Sequence, residues 1–199
     1  MTNKKNKTIK LRLVHINDTH SHFEPTSLQL EISTQEKKLT PFVSAGGFAR
    51  IKTRVNQLRQ NALQNEQAFI FLHAGDCFQG TLYFSLFKGE ANATMLNALG
   101  IDAMALGNHE LDMGNALVSR FAKRIEFPFL AGNWDLTKEC EDKRELLSDN
   151  PTVVSYNPEK QAAQWITKPV GDDYVAIFSL AIDKMEEISN PDIDTPFID

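Results

Sequence analysis

The chain has 199 residues, 42% of them hydrophobic, which is enough for one domain with a buried core and argues against a disordered protein. Its 21 lysines and arginines against 26 aspartates and glutamates give a net charge of -5, so the basic surface of a protein that binds a nucleic-acid duplex is not expected. Two cysteines, Cys77 and Cys140, are too few for a disulfide framework and lack the spacing of a structural zinc site.

The N-terminal segment does not predict an export signal. Residues 1–8 form a basic tail, and the apolar run of a signal peptide does not follow them. No stretch approaches the roughly 18 to 20 consecutive apolar residues that cross a bilayer. The sequence by itself therefore predicts a cytoplasmic protein without a membrane span.

Apolar periodicity predicts strands that alternate with helices. In chain order, the predicted elements are a strand over 9–16, a helix over 48–63, a strand over 68–72, a short helix that ends at Gly100, a strand over 103–106, a helix over 117–125 and a strand over 127–131. Three further strands are predicted over 152–155, 164–167 and 174–180. The alternation predicts an α/β fold with a largely parallel sheet packed by helices.

Three of the predicted strands end in clusters of side chains that bind metals. The clusters are Asp18-Thr19-His20, Gly75-Asp76 and Gly107-Asn108-His109-Glu110. The carboxyl ends of parallel strands share one edge of a sheet, so we expect the three loops to converge on one crevice. Asp18 and His20 are two residues apart, and the alternation of an extended strand would place both side chains on one side. The glycines before Asp76 and Asn108 permit close approach of the backbone.

The types of candidate ligand indicate which metals and which reaction to expect. Carboxylate and imidazole groups without a thiolate favour a divalent ion such as manganese, zinc or iron. Asn108 adds a neutral oxygen, and Asp76 on the middle loop is the candidate to bridge two ions. Two neighbouring ions stabilise the attacking and leaving oxygens of a phosphoryl transfer, so hydrolysis of a phosphate ester is the expected reaction.

The motifs resemble those of the calcineurin-like metallophosphoesterases, and among them the 5'-nucleotidase and UDP-sugar hydrolase branch. The matching segments are His15-Ile-Asn-Asp-Thr-His-Ser-His22, Ala45-Gly-Gly-Phe-Ala-Arg50, His73-Ala-Gly-Asp-Cys-Phe-Gln-Gly-Thr81, Leu106-Gly-Asn-His-Glu-Leu-Asp112 and Phe129-Leu-Ala-Gly-Asn133. The resemblance continues through Ala181 and covers nearly the whole chain. It implies an αββα sandwich of which residues 9–199 form the N-terminal portion, with the first sheet, its helices and part of the second sheet.

The resemblance also implies two divalent metal ions, manganese, zinc or similar. The ligands that it implies are Asp18 and His20 for one ion, Asp76 as the bridge and Asn108 for the other. His109 would stabilise the transferring phosphoryl group or protonate the leaving oxygen, and Asp112 would orient the His109 ring. The implied activity is hydrolysis of nucleoside monophosphates or related nucleotides by metal-activated water.

The sequence also departs from the family pattern. The family continues with another histidine-bearing loop and a Gly-His-x-His motif, whereas all five histidines here lie in the first 109 residues. The family's C-terminal substrate-binding domain has no counterpart in the chain. Three candidate ligands remain for the first ion and two for the second, so the second ion is expected to bind weakly.

Two alternative functions therefore remain open. The chain is either a 5'-nucleotidase-like enzyme or a catalytically incomplete fragment or remnant that binds only a metal or a partner. If it is an enzyme, the substrate is open as well, because cyclic-nucleotide phosphodiesterases and nucleotide-sugar or dinucleotide pyrophosphatases share the pattern. The resemblance also implies a periplasmic or extracellular location, in contrast to the location that the N-terminus predicts.

Overall fold

The computed structural model describes residues 8–35, 37–140 and 145–199. Of the predicted basic tail, residues 1–7 lie outside the described residues. In chain order the structure contains β1 (Leu11–Ile16), β2 (Thr26–Gln29), β3 (Ile32–Ser33), β4 (Lys38–Leu39), β5 (Phe42–Ala45), α1 (Phe48–Gln64), β6 (Ala68–His73), α2 (Leu82–Phe87), α3 (Glu90–Leu99), β7 (Ala103–Ala105), a 3₁₀ helix (His109–Leu111), α4 (Asn115–Ala122), β8 (Phe129–Leu130), β9 (Val153–Val154), β10 (Tyr156–Asn157), β11 (Ala162–Ala163), β12 (Ile166–Val170), β13 (Asp173–Ile177) and a second 3₁₀ helix (Met185–Glu187).

Five parallel strands form the central sheet, in the order β1-β6-β7-β8-β9. The longest pairing runs from Leu11 opposite Ala68 to Ile16 opposite His73. All four neighbouring pairs are parallel, so the strands end at the same edge of the sheet. The predicted α/β fold with a largely parallel sheet is therefore confirmed.

Helices pack against one face of this sheet and form the core. Phe71, Met104 and Phe129 are fully buried and belong to one cluster with Leu96 of α3 and Phe121 of α4. Each such side chain stabilises the fold by roughly 1.5–3 kcal/mol relative to an exposed one. Packing on this face of the sheet fixes the positions of the strands and of the loops at their carboxyl ends.

The opposite face of the sheet is only partly covered. Leu13 alternates with Val14 along β1 and is 57% exposed. The antiparallel pair of β12 and β13 reaches the sheet through Lys168, whose Nζ lies 2.9 Å from Asp102 Oδ1. The chain thus contains the first sheet with its helices and part of a second layer, as predicted.

The helix boundaries follow the sequence signals. Helix α1 buries Phe48, Val55 and Ala62, whereas the other two apolar positions of the predicted helix, Ile51 and Leu58, are partly exposed. Helix α3 ends at Gly100, whose φ of 71° gives the left-handed C-cap that the sequence predicts there. Among the described residues, no helix is long and apolar enough to span a bilayer.

Several segments differ from the prediction. Residues 24–45 contain two antiparallel pairs, β2 with β5 and β3 with β4, which the periodicity does not indicate because β2, β3 and β4 are exposed at every position. The periodicity does not indicate helix α2 either. The strands predicted over 164–167 and 174–180 are present in shifted form, since β12 begins at Ile166 and β13 ends at Ile177.

Candidate functional site

The loops after β1 and β6 are joined by backbone hydrogen bonds. The Asp18 N–H donates to the Gly75 carbonyl at 3.0 Å, and the His20 N–H donates to the Asp76 carbonyl at 3.1 Å. Asp18, His20 and Asp76 all have left-handed backbone, with φ of 50°, 40° and 60°. Such strain in residues other than glycine clusters at functional sites.

Asp18 and His20 lie together, but the reason expected from the sequence was wrong. Strand β1 ends at Ile16, so the alternation of an extended strand does not continue to either residue. The left-handed turn brings the two side chains to 3.7 Å between Asp18 Oδ1 and His20 Nε2.

The His20 ring has a defined tautomer. Its Nδ1 lies 2.8 Å from the Phe78 carbonyl oxygen, and because a carbonyl only accepts, Nδ1–H is the donor. Nε2 of the neutral ring is then left with a free lone pair. A metal-binding histidine commonly uses its second ring nitrogen in this way, donating to a backbone carbonyl.

Asp76 occupies the centre of the site. Its Oδ1 accepts the His109 N–H at 3.0 Å. Candidate ligand atoms of His20, Asp76 and His109 all lie within 4.8 Å of one another. This set of imidazole nitrogen and carboxylate oxygen fits a divalent first-row ion. Asp18 is not part of that closest group, and its side chain is 55% exposed at the rim.

Asn108 precedes the 3₁₀ helix on the third loop. Its backbone carbonyl accepts from the Leu111 N–H at 3.0 Å and from the Ser189 hydroxyl at 2.7 Å. No hydrogen bond joins its side-chain amide to another of the described residues, so the amide oxygen is available as a ligand. The ligand roles of Asp18, His20, Asp76 and Asn108 stay predictions.

His109 and Asp112 form the contact that the family resemblance implies. His109 Nδ1 lies 2.7 Å from Asp112 Oδ2. The hydrogen bond to Asp112 raises the pKa of His109, partial burial lowers it, and the negative charges of Asp112 and Asp76 add to the rise. The carboxylate therefore favours the imidazolium, with its Nδ1–H directed at Asp112.

Two residues that sequence reasoning missed hold Asp112 in place. The Gln79 side-chain amide donates to Asp112 Oδ2 at 3.0 Å, and the Ser189 hydroxyl lies 3.0 Å from Asp112 Oδ1. Gln79 lies within one of the quoted motifs and could have been singled out there. Ser189 follows Asp112 by 77 residues, and no sequence spacing indicates the contact.

His73 is a buried histidine at the end of β6. Its Nδ1 accepts the Gly75 N–H at 3.1 Å, so Nε2 carries the hydrogen that is donated to Thr19 Oγ1 at 2.9 Å. Burial lowers the pKa of His73 to about 4, which keeps the ring neutral. The ring connects the first loop to the second.

Glu110 is the third residue whose role the sequence did not indicate. It is fully buried, and its carboxylate accepts hydrogen bonds from the backbone N–H groups of Asp76 at 3.0 Å, Cys77 at 2.7 Å, Phe78 at 3.2 Å and Gly107 at 2.8 Å. Burial raises the pKa of Glu110, while the N–H donors oppose the rise. The side chain thus contacts backbone of two loops, although its neighbours in the motif belong to the ligand cluster.

Gly75 and Gly107 make the close approach that the sequence predicted. A Cβ on Gly107 would lie 2.3 Å from Asp76 Oδ1, and one on Gly75 would lie 2.8 Å from the Gly107 Cα. No side chain fits between the second and third loops at these positions. The two glycines therefore determine how closely Asp76 and Asn108 can lie.

Sequence comparison relates the chain to phosphoesterases. The model of the family described as calcineurin-like phosphoesterase matches residues 11–180. The chain is 35% identical over 191 residues to a 5'-nucleotidase of Bos taurus, covering 96% of this chain and 29% of that protein. It is 33% identical over 194 residues to the NAD 5'-nucleotidase of Haemophilus influenzae, covering 97% of this chain and 28% of that protein. The chain thus spans less than a third of the length of these relatives.

Solved structures agree with the sequence comparison. The NAD nucleotidase of Haemophilus influenzae superposes with a TM-score of 0.75 at 30% identity, over 95% of this chain and 29% of that one. The 5'-nucleotidase precursor of Thermus thermophilus superposes with a TM-score of 0.72 at 33% identity, over 95% of this chain and 32% of that one.

Proposed function

The chain belongs to the calcineurin-like phosphoesterase family, and on that premise we propose that the protein hydrolyses the phosphoester bond of nucleoside monophosphates or related nucleotides. The observation that carries the proposal is the convergence of His20, Asp76 and His109, with Asp112 bound to the His109 ring. Family members use a pair of divalent metal ions, and the donor types present here suit such ions.

The proposal assigns the metal ligands that the motifs indicate. Asp18 and His20 would hold one ion, Asn108 would hold the other through its amide oxygen, and Asp76 would be shared by both. Bound divalent ions supply Lewis-acid stabilisation of phosphoryl oxygens and lower the pKa of a coordinated water. The contribution of this chain is the preset orientation of His20, whose Nδ1–H bond to Phe78 directs Nε2 into the site.

His109 is the proposed general acid. Its raised pKa favours the imidazolium, in which Asp112 holds the proton on Nδ1 and the proton on Nε2 is the one available to substrate. As the bond from phosphorus to the leaving oxygen breaks, Nε2 transfers its proton to that oxygen and the ring becomes neutral. Solvent then reprotonates the ring.

Asp76→Asn tests the proposal. We expect the substitution to lower Mn²⁺-dependent phosphate release from a nucleoside monophosphate by roughly 10²–10³-fold, because an essential charged group in the site is lost. Asp173→Asn, at an exposed position on β13, is the matched control and should retain full turnover. Near-normal turnover in Asp76→Asn would refute the assignment of Asp76.

Two other functions have specific support and are distinguished by the same assay. Similarity to an NAD 5'-nucleotidase favours a dinucleotide pyrophosphatase, so the substrate panel includes NAD, a nucleotide sugar and a cyclic nucleotide. The small number of candidate ligands for the second ion favours a protein that binds metal without hydrolysis. Mn²⁺ binding by calorimetry without turnover of any of these substrates would indicate the latter function.

A further inference from the structure

The Glu110 carboxylate lies between the second and third loops of the site. Its Oε2 accepts from both Asp76 N–H at 3.0 Å and Gly107 N–H at 2.8 Å, so one oxygen atom connects the two loops. Its Oε1 accepts from Cys77 N–H at 2.7 Å and Phe78 N–H at 3.2 Å. All four bonds go to backbone, and the side chain is fully buried.

These bonds fix the relative position of two candidate metal ligands. Asp76 is bonded through its own N–H, and Asn108 follows directly after Gly107. A further hydrogen bond, from the His109 N–H to Asp76 Oδ1 at 3.0 Å, joins the same two loops. Because Asp76 has left-handed backbone, its loop needs such external bonds to keep its shape.

We propose that Glu110 is a positioning residue that holds Asp76 and Asn108 at the separation required by the pair of metal ions. The inference rests on the proposed function, because it assigns the same two residues to the metals. Glu110 itself is fully buried, and its carboxylate accepts hydrogen bonds from backbone N–H groups. Residues that orient metal ligands typically change metal affinity by about 10–100-fold when they are replaced.

Glu139 offers a matched control for a purely structural role. Its carboxylate also accepts two backbone N–H groups, those of Leu147 at 3.0 Å and Ser148 at 2.9 Å. It lies outside the three ligand-bearing loops. Glu110→Gln and Glu139→Gln therefore make the same chemical change, in which an acceptor oxygen is replaced by an NH₂ group facing backbone donors.

The experiment measures Mn²⁺ affinity by calorimetry and the melting temperature of the metal-free chain for the unaltered protein and both variants. We expect Glu110→Gln to raise the Mn²⁺ dissociation constant by about tenfold or more and Glu139→Gln to leave it unchanged, even where both lower the melting temperature. Unchanged Mn²⁺ affinity in folded Glu110→Gln would overturn the inference.

A second variant keeps the test decisive if Glu110→Gln does not fold. Glu110→Asp retains the carboxylate but is one methylene shorter, so it cannot reach both loops, and we expect weaker Mn²⁺ binding from a folded protein. Wild-type affinity in this variant would overturn the inference. Hydrogen exchange of the unaltered metal-free chain gives an independent result, since unprotected amides at Asp76 and Gly107 would show that Glu110 does not hold the loops.

The Mn²⁺ binding measurement distinguishes failure of the proposed function from failure of the Glu110 inference. If the unaltered chain does not bind Mn²⁺ at all, the metal site is refuted, and the metal role of Glu110 with it. If the unaltered chain binds Mn²⁺ and the Glu110 variants bind it equally well, only the role of Glu110 is refuted.

Discussion

Asp112 is the main cause of the raised pKa of His109. The short bond from Nδ1 to Asp112 is the largest cause of the raised pKa, and Gln79 and Ser189 keep the Asp112 carboxylate in place. The ring is 40% exposed, so solvent screens the interaction and its effect on folding stability is small. What stability it gives is fully present below the unfolded pKa of about 6.5 and is lost as the pH rises through the raised folded pKa.

Asp112→Asn should lower the pKa of His109. The amide cannot stabilise the imidazolium by charge, so the proton leaves the ring at a lower pH. We expect the NMR titration of the His109 ring to shift to lower pH and the basic limb of the pH–rate profile to shift in the same direction. Asp173→Asn should leave the titration unchanged. An unaltered His109 titration in Asp112→Asn would contradict the account of the charge state.

At the scale of elements, the site depends on the contact between the loops after β6 and β7. Gly75 and Gly107 leave no room for a Cβ between them, and the contact atoms at Gly107 belong to Asp76. The two loops cannot move apart to accommodate a Cβ at low cost in free energy, because both are anchored to strands of the same parallel sheet.

Gly107→Ala should therefore destabilise the fold by about 1–3 kcal/mol and weaken Mn²⁺ binding, because its Cβ would lie 2.3 Å from Asp76 Oδ1 and 2.5 Å from Asp76 N. Urea unfolding and Mn²⁺ calorimetry measure the two effects. Gly171→Ala is the control, since a Cβ there meets nothing within 4 Å and only the left-handed φ of 67° is strained. Equal Mn²⁺ affinity in the two variants would contradict the prediction.

At the scale of the whole molecule, the chain contains more candidate ligands for one metal ion than for the other. Asp18, His20 and Asp76 are available for the first ion, whereas Asp76 and Asn108 are available for the second. An ion with only two protein ligands is held loosely.

Titration with Mn²⁺ should accordingly show two unequal binding events, the second weaker by about tenfold or more. Electron paramagnetic resonance of free Mn²⁺ measures both steps without reference to activity. Asp76→Asn should weaken both events, because Asp76 is the shared ligand, and Asp173→Asn should weaken neither. Two events of equal affinity in the unaltered chain would contradict the ligand count.

The sequence by itself determined the α/β class, the helix over residues 48–63 and the candidate residues from Asp18 to Asp112. These follow from local properties, since periodicity reports which face of an element is buried and motif spacing reports which strands end in polar loops. Exposed segments such as residues 24–45 carry no such periodicity, and their strands were missed.

Only the tertiary structure decided how the site residues are arranged. The left-handed turn at Asp18 and His20, the tautomer of His20, and the contact of Ser189 with Asp112 all depend on partners distant in the chain. Glu110 illustrates the reason. Its sequence position suggests a ligand like its neighbours, yet its carboxylate accepts N–H groups from residues more than 30 positions earlier, which become neighbours only when β6 and β7 pair. Hydrogen bonds between distant loops depend on three-dimensional proximity, which a linear pattern does not contain.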